Sequence, residues 1–114
     1  MLTKEQLAEI SNKFTLSKEI EDICFVIGKR MKESACSGLR TFQIECIKPK
    51  IHNMAFGSNG KNYIYVFVKD GYSTNQYYEK IEECLMNNGF TSGDIECATI
   101  TNDYYSSVQI TVRW

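Results

Sequence analysis

Val108-Gln-Ile-Thr-Val-Arg-Trp114 is the stretch that decides the fold of this chain. Its four apolar side chains alternate with three polar ones, and a period of two places all the apolar ones on one face of a β-strand. We therefore predict a strand here with one face in a core. The rest of the chain must supply neighbouring strands and a helical cover for that face.

Three other stretches have the composition and alternation of strands, at residues 41–47, 62–68 and 95–100. In the first, Phe42, Ile44 and Cys46 share one face, and Pro49 ends the strand. The second is apolar on both faces, with aliphatic residues on one and aromatic residues on the other: Ile64, Val66 and Val68; Tyr63, Tyr65 and Phe67. This two-sided pattern predicts an interior strand whose second face is covered or used.

Helix signals occupy the remaining segments. Capping boxes at Thr3 and Ser73 open helices over residues 4–13 and from 73 to about 88, and a third helix is predicted over 17–35. We take Tyr78, Ile81 and Leu85 as the core stripe of the last helix. The order is two N-terminal helices, then strand-strand-helix-strand-strand. It predicts an α+β fold with a four-stranded antiparallel or mixed sheet and the helices on one face.

The composition is that of one globular domain spanning residues 1–114. Apolar residues make up 43% and charged residues 24% of the 114, and no apolar run approaches the roughly 18 residues of a membrane span. The five cysteines are odd in number and scattered, and no export signal is visible, so we expect free thiols in a reducing cytosol. Most fall on apolar positions; Cys36 is the exception. Cys-x-x-Cys is absent and His52 is the only histidine, so we predict no metal site and no cofactor.

Charge is distributed unevenly along the chain. Residues 29–69 carry eight basic side chains and two acidic ones, whereas residues 70–114 carry two basic and seven acidic ones. A basic segment of this kind can mark an interaction surface. The alternative is that the two regions offset each other across neighbouring elements of one small domain.

The segment 48–61 is the first candidate site. It joins two strands that a short hairpin turn could have joined, and loops of this length in compact domains often carry function. Its cationic and apolar side chains suit a surface that docks on a partner protein: Lys48, Lys50, Ile51, His52, Met54, Phe56 and Lys61. Alternatively, its apolar residues close one end of the core.

A second candidate site lies on the aromatic face of strand 62–68. In this alternative the protein is an oligomer that binds a small ligand or nucleotide. Aromatic side chains stack on a base while cations hold phosphate: Tyr63, Tyr65, Phe67, Arg40 and Lys61. The isoelectric point near 5.8 argues against nucleic acid as the partner.

Catalytic motifs are not evident, and we predict no catalytic residues. Gly57-Ser-Asn-Gly60-Lys61 is too short for a phosphate-binding loop and precedes a strand rather than a helix. The G-x-S-x-G elbow is missing, and His52 has no acidic neighbour in sequence to orient it. An enzyme of unrecognised type remains a third hypothesis, because a fold does not fix a function.

The order and spacing of these segments resemble those of small accessory proteins of bacteriophages and related mobile elements. The resemblance lies in a helix that passes through Gly38 into a strand, a later helix that ends in Gly89-Phe90, and a hairpin that closes on Trp114. It implies a non-catalytic inhibitor that binds a protein of the bacterial host, in a defence system or elsewhere, or one that sequesters a nucleotide signal. We expect a host protein as partner and no membrane contact, and a homodimer is left open.

Overall fold

The computed structural model describes residues 1–12, 14–51 and 59–114. Its elements run in chain order as α1 (Lys4–Asn12), α2 (Leu16–Cys36), β1 (Thr41–Pro49), β2 (Tyr63–Phe67), α3 (Thr74–Asn87), β3 (Ile95–Thr101) and β4 (Tyr105–Arg113). The α+β class with a four-stranded sheet is confirmed. The order differs from the predicted one by a short 3₁₀ turn, Ser92–Asp94, between α3 and β3.

The sheet is mixed and has the strand order β2-β1-β4-β3. β4 is antiparallel to both β1 and β3, whereas β1 and β2 are parallel, with Gln43 opposite Tyr63 and Ile47 opposite Phe67. The expectation that a hairpin turn could join β1 and β2 is therefore wrong. Parallel strands need a connection that returns along the sheet, and this requirement alone accounts for the length of the segment between them.

The position of β2 also corrects the sequence analysis. β2 lies at the edge of the sheet rather than in its interior, and only its aliphatic face, with Ile64 and Val66, belongs to the core. On the other face the exposed fraction rises to 51% at Phe67. Apolar residues on both faces are thus no proof of an interior strand, because aromatic rings on an edge strand can also pack on one another.

The hydrophobic core lies between one face of the sheet and the helices α2 and α3. Phe42, Ile44 and Ile110 on the central strands are fully buried, and removing each such side chain from water stabilises the fold by about 1.5–3 kcal/mol. The buried side chains of α3 are Tyr77, Ile81 and Leu85, at the i, i+4, i+8 spacing of one helix face. Tyr77 thus takes the core position that the sequence analysis gave to Tyr78.

α1 stands outside this core. Its helix is as predicted and keeps its capping box, in which Gln6 N–H donates to Thr3 Oγ1. Its apolar side chains are not buried, however, since Leu7 and Ile10 are 53% and 54% exposed. Just beyond α1, Phe14 rests against Tyr72 with 5.7 Å between ring centroids.

All five cysteines are free thiols, as expected. Cys46 is buried in the core, Cys24 and Cys84 are half-buried, and Cys36 and Cys97 are exposed. No helix in the described residues is long and apolar enough to span a bilayer.

Candidate functional site

The structure divides the predicted docking segment between the two ends of the sheet. His52, Met54 and Phe56 lie outside the described residues. Lys48, Lys50 and Ile51 lie at the end where β1 finishes, and Lys61 lies where β2 begins. Because β1 and β2 are parallel, these ends are opposite, and the described members of the set do not form one surface.

Two of the predicted docking lysines make contacts within the chain. The Lys48 Nζ donates to the carbonyl of Tyr72 at 2.6 Å, and the Lys50 Nζ donates to the carbonyl of Asn102 at 2.8 Å. Both bonds tie the end of β1 to neighbouring turns. These ammonium groups therefore have a structural role that the sequence did not reveal, while Ile51 beside them is 46% exposed.

The aromatic residues proposed to stack a base pack largely on one another. Tyr63 and Tyr65 meet edge to face with centroids 4.9 Å apart, and Tyr65 stacks on Phe67 at 6.4 Å. The Tyr63 hydroxyl donates to the buried carboxylate of Glu45, and burial, followed by this bond, raises the pKa of Tyr63. The predicted phosphate ligand Arg40 donates through Nε to the carbonyl of Trp114 at 3.0 Å.

A groove lies between α2 and the edge strand β2. It encloses about 580 Å³. One wall of the groove is formed by the start of α2. Its residues recur every three or four positions, so they lie on the flank of the helix that faces β2: Thr15, Lys18, Glu19, Asp22, Ile23 and Val26. Phe14, Lys69 and residues 64–67 complete the lining.

The middle of this groove is apolar and accessible. Val26 and Phe67 are 49% and 51% exposed. Ile23, which packs from α2 against the core, is half-buried. The charged side chains of the α2 wall engage each other, with Lys18 Nζ 3.7 Å from Asp22 Oδ1. Apolar area of this kind at a concavity is where proteins most often hold a partner's side chains.

Past Val26 on α2, next to the groove, lies a polar pocket of about 450 Å³. Here α2 is tied to the residues that lead into β2. The Arg30 guanidinium donates to the carbonyl of Gly60, and the buried Ser34 hydroxyl donates to the carbonyl of Lys61 at 2.6 Å. Glu33 lies 3.9 Å from Arg30 Nε. These bonds fix the spacing between the two walls, so the groove is formed before any ligand arrives.

Val26 was not predicted from the sequence, because helical periodicity selects only the core-facing side of α2. That side includes Ile23 and Ile27, both of which pack against the core. Phe25 and Val26 are also apolar, but they lie outside this core contact and are exposed. Two adjacent apolar residues on the outer faces of an otherwise amphipathic helix were the available signal.

One acidic side chain of the groove is hydrogen-bonded within the chain. Glu19 at the rim of the groove accepts a hydrogen bond from Tyr77 Oη at 3.2 Å, and no group of three metal-ligating side chains occurs among the described residues. On α2, burial, followed by the neighbouring Cys84, raises the pKa of Cys24 to about 12. A thiol of this kind is not ionised at neutral pH and is a poor nucleophile.

The comparisons with known proteins add no relative. No protein-family model matches the chain, and no curated protein or solved structure matches it at a significant level.

Proposed function

We propose that this protein is a non-catalytic binding module that holds an apolar segment of a partner protein in the groove between α2 and β2. The observation that carries the proposal is the groove of about 580 Å³, whose lining includes the half-exposed apolar residues Val26 and Phe67. Covering apolar residues of this kind removes apolar area from water at about 25 cal/mol per Å².

The proposal keeps the class of function expected from the sequence and moves its site. The resemblance to phage accessory proteins makes a protein of the bacterial host the expected partner, and an inhibitor would occupy a surface that the host protein needs. Lys48 and Lys50 bond to carbonyls of the chain itself. These contacts favour the groove over the basic segment as the docking surface.

A pair of adjacent substitutions tests the groove. Val26→Glu places a charge inside it, whereas Phe25→Glu makes the same change one residue earlier on α2, where the side chain is 77% exposed and outside the groove lining. Peptides selected for binding from a random library of helical and extended designs are then titrated by fluorescence anisotropy. We expect Val26→Glu to weaken binding at least tenfold and Phe25→Glu to leave it within twofold, because a buried unpaired charge is costly.

Two results would contradict the proposal. If no peptide bound the wild-type protein with a dissociation constant below about 100 µM, roughly 5.5 kcal/mol, the groove would not be a docking site. Equal loss in both variants would place binding on the outer face of α2 instead. Far-ultraviolet circular dichroism of both variants serves as the control for folding.

A further inference from the structure

The groove and the polar pocket lie one after the other along α2, and together they are called the channel below. The apolar part extends to Val26, and Arg30 follows one helical turn later, about 6 Å along the axis. Lys61 faces Arg30 from the β2 side of the pocket. A ligand that fills the channel therefore meets the apolar side chains of Ile23 and Val26 in the middle, two cations at one end, and Lys18, Glu19 and Asp22 at the other.

The main chain of β2 offers little to an added strand. Gln43 N–H donates to the carbonyl of Asn62 and Val68 N–H donates to the carbonyl of Ile47, so the even-numbered residues of this segment pair with β1. The groups of the odd-numbered residues face the groove side. There, Tyr65 N–H donates to Asn59 Oδ1 and Tyr63 C=O accepts from Gly60 N–H, both at 3.0 Å. Strand addition needs such groups, so their bonds within the chain favour a ligand that is held by side chains.

A helix is the segment that binds through side chains alone. Packed alongside α2 over the edge of the sheet, it would present residues at i, i+3, i+4 and i+7 to Val26 and Ile23. The wall from Thr15 to Val26 runs about 16 Å, close to three helical turns. One more turn takes the helix to Arg30 and Lys61.

Charge sets the direction of that helix. The pocket is lined by two cations, Arg30 and Lys61, and one anion, Glu33. Lys29 and Lys32 lie exposed at the same end of α2. The C-terminal end of α2 is also the negative end of its dipole, which favours the positive N-terminus of a neighbouring helix. Acidic side chains are most stable in the first turn of a helix, and the antiparallel direction brings that turn to the cations.

We infer that the partner of this groove is an amphipathic helix that lies antiparallel to α2, with Asp or Glu in its first turn at Arg30 and Lys61 and apolar side chains in the turn that follows, against Val26 and Ile23. The inference rests on the proposed function and specifies the partner's chemistry. The helix α1 of the same chain does not meet the requirement. If α1 folded back antiparallel to α2, its first residue, Lys4, would reach only about the level of residue 24, well short of Arg30.

The test uses helical peptides of about 18 residues, which span the channel, taken from the selection described above or designed to the pattern. Each is paired with a transposed peptide in which the acidic residues move from the first turn to the last, so that composition and net charge stay the same. Against the wild-type protein we expect the first-turn peptide to bind about fivefold more tightly, the gain of one or two exposed ion pairs. The difference should shrink in 0.5 M salt.

Variants of the pocket locate the effect. Lys61→Ala changes an exposed side chain and should bring the affinities of the paired peptides within twofold of each other. Lys80→Ala on α3 should leave the preference for the first-turn peptide intact. A nitroxide at the peptide N-terminus should broaden the amide signals of Ser37 and Lys61. Broadening at Thr15 and Lys18 instead would overturn the antiparallel direction.

The outcomes separate the inference from the function on which it rests. Equal affinities of paired peptides for the wild-type protein would refute the charge requirement and leave a binding groove. Absence of any binding would remove the proposed function as well. A peptide of residues 1–12 is included in the series, and if it bound most tightly while the protein ran as a dimer in light scattering, the occupant would be a second copy of this chain and the inference of a foreign helix would be wrong.

Discussion

Glu45 shows how a single residue connects the edge strand to the sheet. It lies on the sheet face turned away from α2 and α3, is only 5% exposed, and accepts a hydrogen bond from the Tyr63 hydroxyl. A buried carboxylate that loses its donor bears the full cost of desolvation. The sequence analysis placed Tyr63 in a ligand site, whereas the structure gives its hydroxyl a partner within the chain.

Replacing Tyr63 tests this role. We expect Tyr63→Phe to lower the free energy of unfolding by about 1–3 kcal/mol, because Glu45 is left without that donor. Tyr104→Phe, at a residue that is 59% exposed, is the matched control and should change it by less than about 0.5 kcal/mol. Urea denaturation measures both, and equal effects would show that the Tyr63 hydroxyl is dispensable.

Cys46 should make the stability of the protein depend on pH in the alkaline range. Burial, reinforced by the nearby Cys97 and Glu45, raises the pKa of this thiol to about 12, against about 8.5 in an unfolded chain. Because the folded state holds the proton more tightly, the stabilisation is complete below pH 8.5 or so and is lost as the pH rises toward 12. We expect the melting temperature to fall over that range and to fall less steeply in Cys46→Ala. Parallel curves for the two proteins would argue against this account.

At the scale of elements, the two capping boxes have the same chemistry and different consequences. Ser73 Oγ accepts from Gln76 N–H at the start of α3, which packs against the core. Thr3 makes the equivalent bond in α1, whose side chains are exposed. A cap contributes to global stability only when the helix it starts is part of the cooperative unit.

We therefore expect Ser73→Ala to cost about 1 kcal/mol of unfolding free energy and Thr3→Ala to cost none that can be measured. Chemical denaturation followed by Trp114 fluorescence reports the global transition. A cost for Thr3→Ala equal to that for Ser73→Ala would mean that α1 packs on the core in solution.

At the scale of the whole molecule, stability should be highest in the centre of the sheet. β1 and β4 are each paired on both sides and bury Phe42, Ile44, Val108 and Ile110 completely. β3 lies at an edge with most of its side chains exposed. Amide hydrogen exchange should accordingly be slowest in β1 and β4, faster in β3 and fastest in α1. Protection in α1 equal to that in β1 would contradict this ranking.

The sequence alone determined the elements of the fold. Helix and strand positions were predictable to within a few residues, because capping boxes and the two-residue alternation of strands are local signals. The class of fold followed from their order. Tyr78 was mistaken for Tyr77 because neighbouring aromatic residues fit the same helical spacing equally well.

Only the tertiary structure decided how these elements meet. The parallel pairing of β1 with β2, the edge position of β2 and the separation of Lys48 and Lys50 from Lys61 depend on which strands become neighbours, and that is a non-local choice. The groove arises for the same reason. Val26 and Arg30 lie on α2, far in sequence from Phe67 on β2, and the groove and the adjacent pocket form because α2 packs beside the edge of the sheet.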